Sequence, residues 1–263
     1  LASFEFPLQF KPETLKEAEK IPVEISPDEI AARKDFRNIW TCTIDPPDAK
    51  DFDDAVSLRK LENGEWEVGV HIADVSHYVK PNTAIDREGY ERGTSIYLVD
   101  RTIPMLPEKL SNMVCSLRPR EDKLCFSAVF NMDEKGNISR EWFGKTIINS
   151  DRRYNYEEVQ AMIEGADGDF KKELLILNNM AIRLREERFK KGSIAFHTQE
   201  VKFVLDETGK PIDTYIKEQK EANMLIEDFM LLANRRVAEK IGRKTGDSKP
   251  KTFVYRIHDE PNP

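Results

Sequence analysis

Ten residues, Asp45 to Asp54, hold five carboxylates (Asp45, Asp48, Asp51, Asp53 and Asp54) and one cation, Lys50. Carboxylates packed this closely raise one another's pKa unless a cation relieves the repulsion, so an ordered form of the stretch implies a bound metal ion. No His or Cys lies within it, and an all-oxygen donor set suits Mg²⁺ or Mn²⁺ better than zinc. Two divalent ions held about 4 Å apart by carboxylates can activate water and stabilise a leaving oxygen, which is what phosphodiester hydrolysis requires.

Two other readings compete. Runs of like charge are usually solvated turns, but Ile44, Phe52, Ala55 and Val56 are threaded among the acids and would anchor this one to a core. A calcium loop counted from Asp51 places Asp53 third and Glu62 twelfth, yet it fails at the fifth position, Ala55, and at the sixth, where Val56 replaces glycine. In a regular strand Asp51 and Asp53 would point to one face and Asp54 to the other, so convergence needs a turn. Pro46 and Pro47 supply irregular backbone, and a loop entering a strand at Ala55 is expected.

The neighbouring segments tie that loop to a sheet. Ala55–Leu58 and Trp66–Ile72 flank Asn63–Gly64, a hairpin signal. Thr83, with Asp86 three residues on, predicts a helix over 84–92 that Gly93 stops, and 94–99 reads as a strand. Alternation from Leu124 through Phe126, Ala128, Phe130 and Met132 predicts a strand with one buried face, turning at 133–137 into a partner that runs through Ile148. A helix capped by Asn155 and a long amphipathic helix over 169–191 follow, then a hairpin of 201–205 with 211–216, a helix over 221–242 and an apolar strand over 252–257. Ser26 and Pro27 predict a short helix to about Lys34. Strands clustered between long helices point to an α+β domain with a mostly antiparallel sheet.

Composition sets limits on function. A net charge of -7 over 263 residues argues against a general basic footprint for nucleic acid, so any RNA contact must be local or helped by other parts. Three cysteines without C-x-x-C spacing suggest neither a disulfide framework nor a zinc site, and point to a reducing, cytoplasmic setting. No apolar run of about 18 residues and no signal peptide is present, which speaks against membrane spanning and secretion. The four histidines lack metal-ligand spacing, and neither a serine or cysteine nucleophile signature nor a P-loop occurs.

TIDPPDAKDFDDAV (43–56) resembles the signature of the ribonuclease II and ribonuclease R family, in the catalytic domain called RNB. HIADVSHYV (71–79), DREGYERGTSIYLVDRTIPMLPEKLSN (86–112), CSLRP (115–119) and IEDFMLLAN (226–234) resemble further family segments in the family's order. The likeness runs from about residue 36 to the end, with ribonuclease R the closer member; 1–35 then reads as a lead-in and 36–263 as the N-terminal portion of the catalytic domain.

The resemblance implies a metal-dependent 3′-to-5′ exoribonuclease that holds the 3′ end of single-stranded RNA and releases 5′-nucleoside monophosphates. It makes Asp45, Asp51, Asp53 and Asp54 the four acidic metal positions, with Asp53 and Asp51 tied to cleavage, Asp53 most closely; Asp48 is not among them and is expected to be solvated. It places Tyr97 where a tyrosine stacks on the 3′-terminal base, Phe196 where an aromatic lies against bases farther along, and Tyr156 and Glu227 where ribose is recognised. Judged by residue type alone, each aromatic is more often core, and Glu227 on an amphipathic helix would be a solvated face.

The family pattern continues past HDEPNP (258–263) to an arginine-rich segment, and no compact arginine cluster is evident near the acidic stretch. The alternatives are an RNA- and metal-binding fragment without turnover, and a regulatory protein that keeps the fold around a structural cation.

Overall fold

The computed structural model describes residues 6–194, 200–243 and 251–255. Helices α1 (Pro12–Glu19) and α2 (Pro27–Ala31) open the chain, each with proline in its first turn, where the missing N–H has no partner to lose. Ser26 caps α2 by accepting from the Glu29 N–H. The helix ends at Ala31 rather than near Lys34, because Lys34–Asp35 leaves as strand β1 to pair with the later strand β8 (Ile138–Asn149). Arg33 is drawn into the sheet with them: its buried guanidinium donates to Asp74 and to the carbonyls of Cys125 and Thr146.

Strands β2 (Thr41–Asp45), β3 (Asp54–Lys60) and β4 (Trp66–Ala73) follow, the last two joined by the expected hairpin with Gly64 at φ +86°. Helix α3 (Val75–Tyr78) precedes α4 (Ala84–Arg92), which starts at a Thr83 cap and stops at left-handed Gly93 as its sequence predicts. Of the strand expected over 94–99 only β5 (Ile96–Tyr97) forms, because the chain turns at once to pair with β6 (Thr102–Ile103), Leu98 N–H donating to Arg101. A π-helical turn (Lys109–Val114) leads to β7 (Asp122–Met132), β8 and β9 (Arg152–Asn155). Helices α5 (Tyr156–Ile163) and α6 (Lys171–Lys190), the hairpin β10 (Glu200–Leu205) with β11 (Pro211–Lys217), and α7 (Glu221–Gly242) complete the described elements. The strand expected over 252–257 is not formed by 252–255, and its remaining residues lie outside those described.

Seven strands make one sheet in the order β1-β8-β7-β4-β3-β2-β9. Its inner pairs are antiparallel and its outermost pairs, β1 with β8 and β2 with β9, are parallel, so the α+β expectation holds. The alternation in β7 misleads in one respect: both of its faces are buried, because helices cover both sides of the sheet. One cluster packs Val56, Val70 and Phe130 against Val159, Leu177 and Phe229 of α5–α7. The other packs Ala55, Cys125 and Val129 against Phe36, Ile85 and Leu110. Phe126, expected inside, is 45% exposed.

Beside the second cluster His71 is fully buried, with Nδ1 2.6 Å from Ser127 Oγ and Nε2 2.8 Å from Ser57 Oγ. Burial lowers its pKa to about 3, so the ring is neutral, and it occupies space that any side chain at Gly69 would fill. No helix among the described residues is long and apolar enough to cross a membrane.

Candidate functional site

The acidic loop hangs between two strand ends, with Asp45 closing β2 and Asp54 opening β3, one residue earlier than the sequence suggests. Phe52, between Asp51 and Asp53, is buried in the second cluster and fixes the loop there. Its N–H donates to Ser116 Oγ at 3.0 Å and its carbonyl accepts from Leu117 N–H at 2.8 Å. The Ser116 hydroxyl donates in turn to the Lys50 carbonyl, and Ala73 N–H to that of Asp53. Ile44, Ala55 and Val56 are buried as well, so the apolar residues threaded among the acids do anchor the stretch. Asp51 and Asp53 keep access to solvent, and Asp48 is exposed in the turn.

The other side of the loop is built by β9. Its parallel register sets Arg153 beside Thr43 and Asn155 beside Asp45. Asn155 forms a capping box with Glu158, which makes Tyr156 the first residue of α5 and brings it close to Asp45 and Asp54. Burial first, then those two negative charges, raise the Tyr156 phenol to about 12. Arg153 donates to the carbonyls of Pro46 and Pro47, and its guanidinium lies 5.4 Å from the Phe52 ring. This arginine went unnoticed in the sequence because only the strand register carries it to the acidic loop.

Asp45, Asp51, Asp53, Asp54, Tyr97 and Tyr156 all line one cavity of about 1240 Å³. Tyr97 donates its hydroxyl to Asp51 Oδ2 at 3.4 Å, and partial burial with the charges of Asp51 and Asp53 raises its pKa. Glu227 does not line the cavity: it is exposed on α7, accepts from Gln219 and lies 3.8 Å from Arg188, as a solvated helix face would. Phe196 lies outside the described residues.

The electrostatics fit a divalent cation. Burial raises Asp45 to about 7; the nearby Thr43 hydroxyl and then Arg153 oppose it, and the charge of Asp54 adds to it. Burial and then Asp53 raise Asp54 to about 6, while burial and then Asp51 raise Asp53. Although solvent reaches Asp53, the cavity wall around it removes much of the water that would otherwise stabilise its charge. Asp45 Oδ2 is buried without a hydrogen-bond donor, an orphaned oxygen that a cation would satisfy. Among the described residues no three acidic, His or Cys side chains stand close enough together to hold a metal ion, so the four carboxylates line one cavity without converging on a single point. Mg²⁺ suits such a set because it keeps several waters and accepts phosphate oxygens.

The family profile described as the RNB domain matches residues 33–263. DIS3-like exonuclease 2 of Schizosaccharomyces pombe is 46% identical over 253 residues, covering 90% of this chain and 27% of the relative. The solved structure of Mycoplasma genitalium RNase R in complex with ribose methylated single-stranded RNA superposes with a TM-score of 0.83 at 28% identity, covering 90% of this chain and 38% of that one. Yeast Ssd1, described as a pseudonuclease, superposes with a TM-score of 0.67 at 18% identity over 84% of this chain and 27% of its own, a likeness of fold alone. The chain thus spans between about a quarter and two fifths of the length of these proteins.

Proposed function

The chain belongs to the RNB domain family, and from that membership we propose that it forms the acidic half of a metal-dependent 3′-to-5′ exoribonuclease releasing 5′-nucleoside monophosphates from single-stranded RNA. A fold shared with a pseudonuclease does not carry a reaction; a site does. The observation that carries this one is the gathering of four carboxylates, from two strand ends and the loop between them, along a cavity also lined by Tyr97 and Tyr156.

Asp45, Asp51, Asp53 and Asp54 would hold Mg²⁺ or Mn²⁺. When bound, the cation would polarise the scissile phosphate and lower the pKa of water. Asp45 and Asp54 would release protons on holding it, since their raised pKa values keep part of each protonated at or just below neutral pH. Tyr97, exposed and beside Asp51, can stack on the terminal base without leaving the acidic wall. Tyr156 keeps its phenolic proton at neutral pH and can donate it to a ribose hydroxyl next to Asp45 and Asp54. The cavity exceeds the usual ~300–1,000 Å³ of a small-molecule pocket, which leaves room for more than one nucleotide.

A second reading, an RNA- and metal-binding fragment without turnover, is favoured by Arg153 being spent on backbone carbonyls rather than turned to the cavity. End-labelled single-stranded RNA incubated with Mg²⁺ separates the two. Monophosphates released by the chain, and lost in Asp53→Asn, support the enzyme; cation-dependent RNA binding with no release supports the fragment.

A further inference from the structure

Ahead of the stretch that the family profile matches, residues 6–19 run as a strap along α4. At the start of α4, Glu17 of α1 accepts from Ala84 N–H at 2.7 Å, a carboxylate placed on the free amides of a helix N-terminus, and Ala18 packs with Ile85 in the second cluster. At the other end the hold is polar. The buried Arg92 guanidinium donates to the carbonyls of Pro7 and Gln9 at 3.0 and 2.7 Å, and to Glu88 Oε1 at 2.9 Å. Glu88, also buried, accepts from Lys11 N–H at 3.1 Å, and the guanidinium lies 3.9 Å from the centre of the Phe10 ring. A buried ion pair on α4 is thus completed by strap backbone and covered by a strap ring.

Arg92 is the last residue of α4, and the chain it holds leads straight to the cavity. Gly93 turns the backbone at φ +69°, and β5 with Tyr97 follows. The β5–β6 pair has only two residues in each strand, too few to keep its own place in water. A nine-residue helix is equally marginal by itself. The placement of Tyr97 therefore depends on what fixes the flanks of its turn. On the far flank Met105 N–H donates to Ser95 Oγ at 2.9 Å, and Leu106 packs against α4 so closely that a Cβ on Gly89 would lie 3.3 Å from its Cδ2. Both flanks of the turn lead to α4, and the strap grips α4 at both ends.

We propose that residues 6–19 set the position of the Tyr97 turn through Glu88 and Arg92, positioning residues that lie buried beneath the strap and touch no RNA. This rests on the reading of Tyr97 as the base-stacking residue. Undocking of the strap would leave the Glu88–Arg92 pair without its backbone partners and loosen the last turn of α4. The acidic loop has separate anchors in Ser116 and Leu117, so the strap tunes the grip on the RNA end rather than the carboxylates.

The test uses the whole chain, ¹⁵N-labelled for amide resonances, and a fluorescein-labelled oligoadenylate. Phe10→Ala removes the ring that covers Arg92 and leaves the Glu88–Arg92 pair in place. In this variant the amide resonances of Ile96, Tyr97 and Leu98 should move or broaden, while those of Val129 and Phe130 in β7 stay; Phe10→Tyr should match the parent. Phe10→Ala should weaken oligoadenylate binding about three-fold in the parent and not at all in Tyr97→Ala, because the strap acts through that ring. Unmoved Ile96–Leu98 resonances in Phe10→Ala overturn the proposal, as do resonances that move equally in β7. Equal weakening by Phe10→Ala with and without the Tyr97 ring also overturns it. If Tyr97→Ala binds oligoadenylate as the parent does, the stacking reading of Tyr97 fails, whereas the resonances still decide whether the strap sets the turn.

Discussion

Arg153 donates to the carbonyl of Pro46, so a side chain on the outermost strand of the sheet holds the turn between Asp45 and Asp51. The bond is charge-assisted, and Phe52 lies beneath the same guanidinium. The relative positions of Asp45 and the other three carboxylates therefore depend on a residue that is itself no ligand.

Arg153→Met is expected to raise the Mg²⁺ concentration needed for half-maximal effect roughly ten-fold, in line with losses of groups that orient metal ligands. Arg153→Lys should recover part of it, since one ammonium can reach only some of the carbonyl positions a guanidinium fork reaches. Calorimetric titration with Mg²⁺ checks this, and unchanged affinity in the Met variant would show that the turn holds its shape unaided.

Asp53→Asn should abolish nucleotide release while RNA affinity changes by no more than about three-fold. Transition-state charge depends on metal placement, whereas an exposed carboxylate contributes nothing to the core. Turnover by the Asn variant at the parent's rate would remove Asp53 from the chemistry.

Tyr97→Ala should change the length of the smallest product more than the rate on long RNA. Loss of one stacking contact matters most when few nucleotides remain to hold the substrate. Identical end-product ladders on a denaturing gel would count against this role.

Cation binding should strengthen as pH rises and level off above about 7. Asp45 and Asp54 have folded pKa values of about 7 and about 6, above the ordinary 3.8. Such groups bind more protons folded than unfolded, so the cation-free protein loses stability as pH rises from about 4 to 7, and cations compete with those protons. The Mg²⁺-induced rise in melting temperature should accordingly be larger at pH 8 than at pH 5.5, with proton release detectable in buffers of different ionisation enthalpy. A rise independent of pH would mean the cation binds elsewhere.

What was legible in the sequence was local. The hairpin at Asn63–Gly64, the Thr83 and Asn155 caps and the extent of α7 are each written in adjacent residues, and each formed where expected. The four acids were legible because one stretch carries them all. Strand register was not: nothing near Arg153 says that β9 will lie parallel to β2. Nor does β7 announce that Cys125 and Ser127 are as buried as Leu124, since small residues under a helical layer look like those facing water. Tyr97 and Tyr156 were suggested by family likeness and share the cavity with the acids, whereas Glu227 points to solvent one turn beyond Asn223, which does line it.

The closure of β9 against β2 also orders events in time. Thr41 N–H donates to Asp151 across 110 positions, whereas β3 and β4 join through a short turn. Hairpins close in microseconds, while pairings between distant segments wait for the chain ends to meet. During refolding the β3–β4 hairpin should thus bring Asp54 into place well before Arg153 and Tyr156 arrive beside Asp45, leaving a transient species with a formed hairpin and no grip on cations. Stopped-flow refolding should show hairpin amides protected from exchange in an early phase and Mg²⁺ sensitivity only in the last. Simultaneous onset of the two would mean that the distant strands meet first.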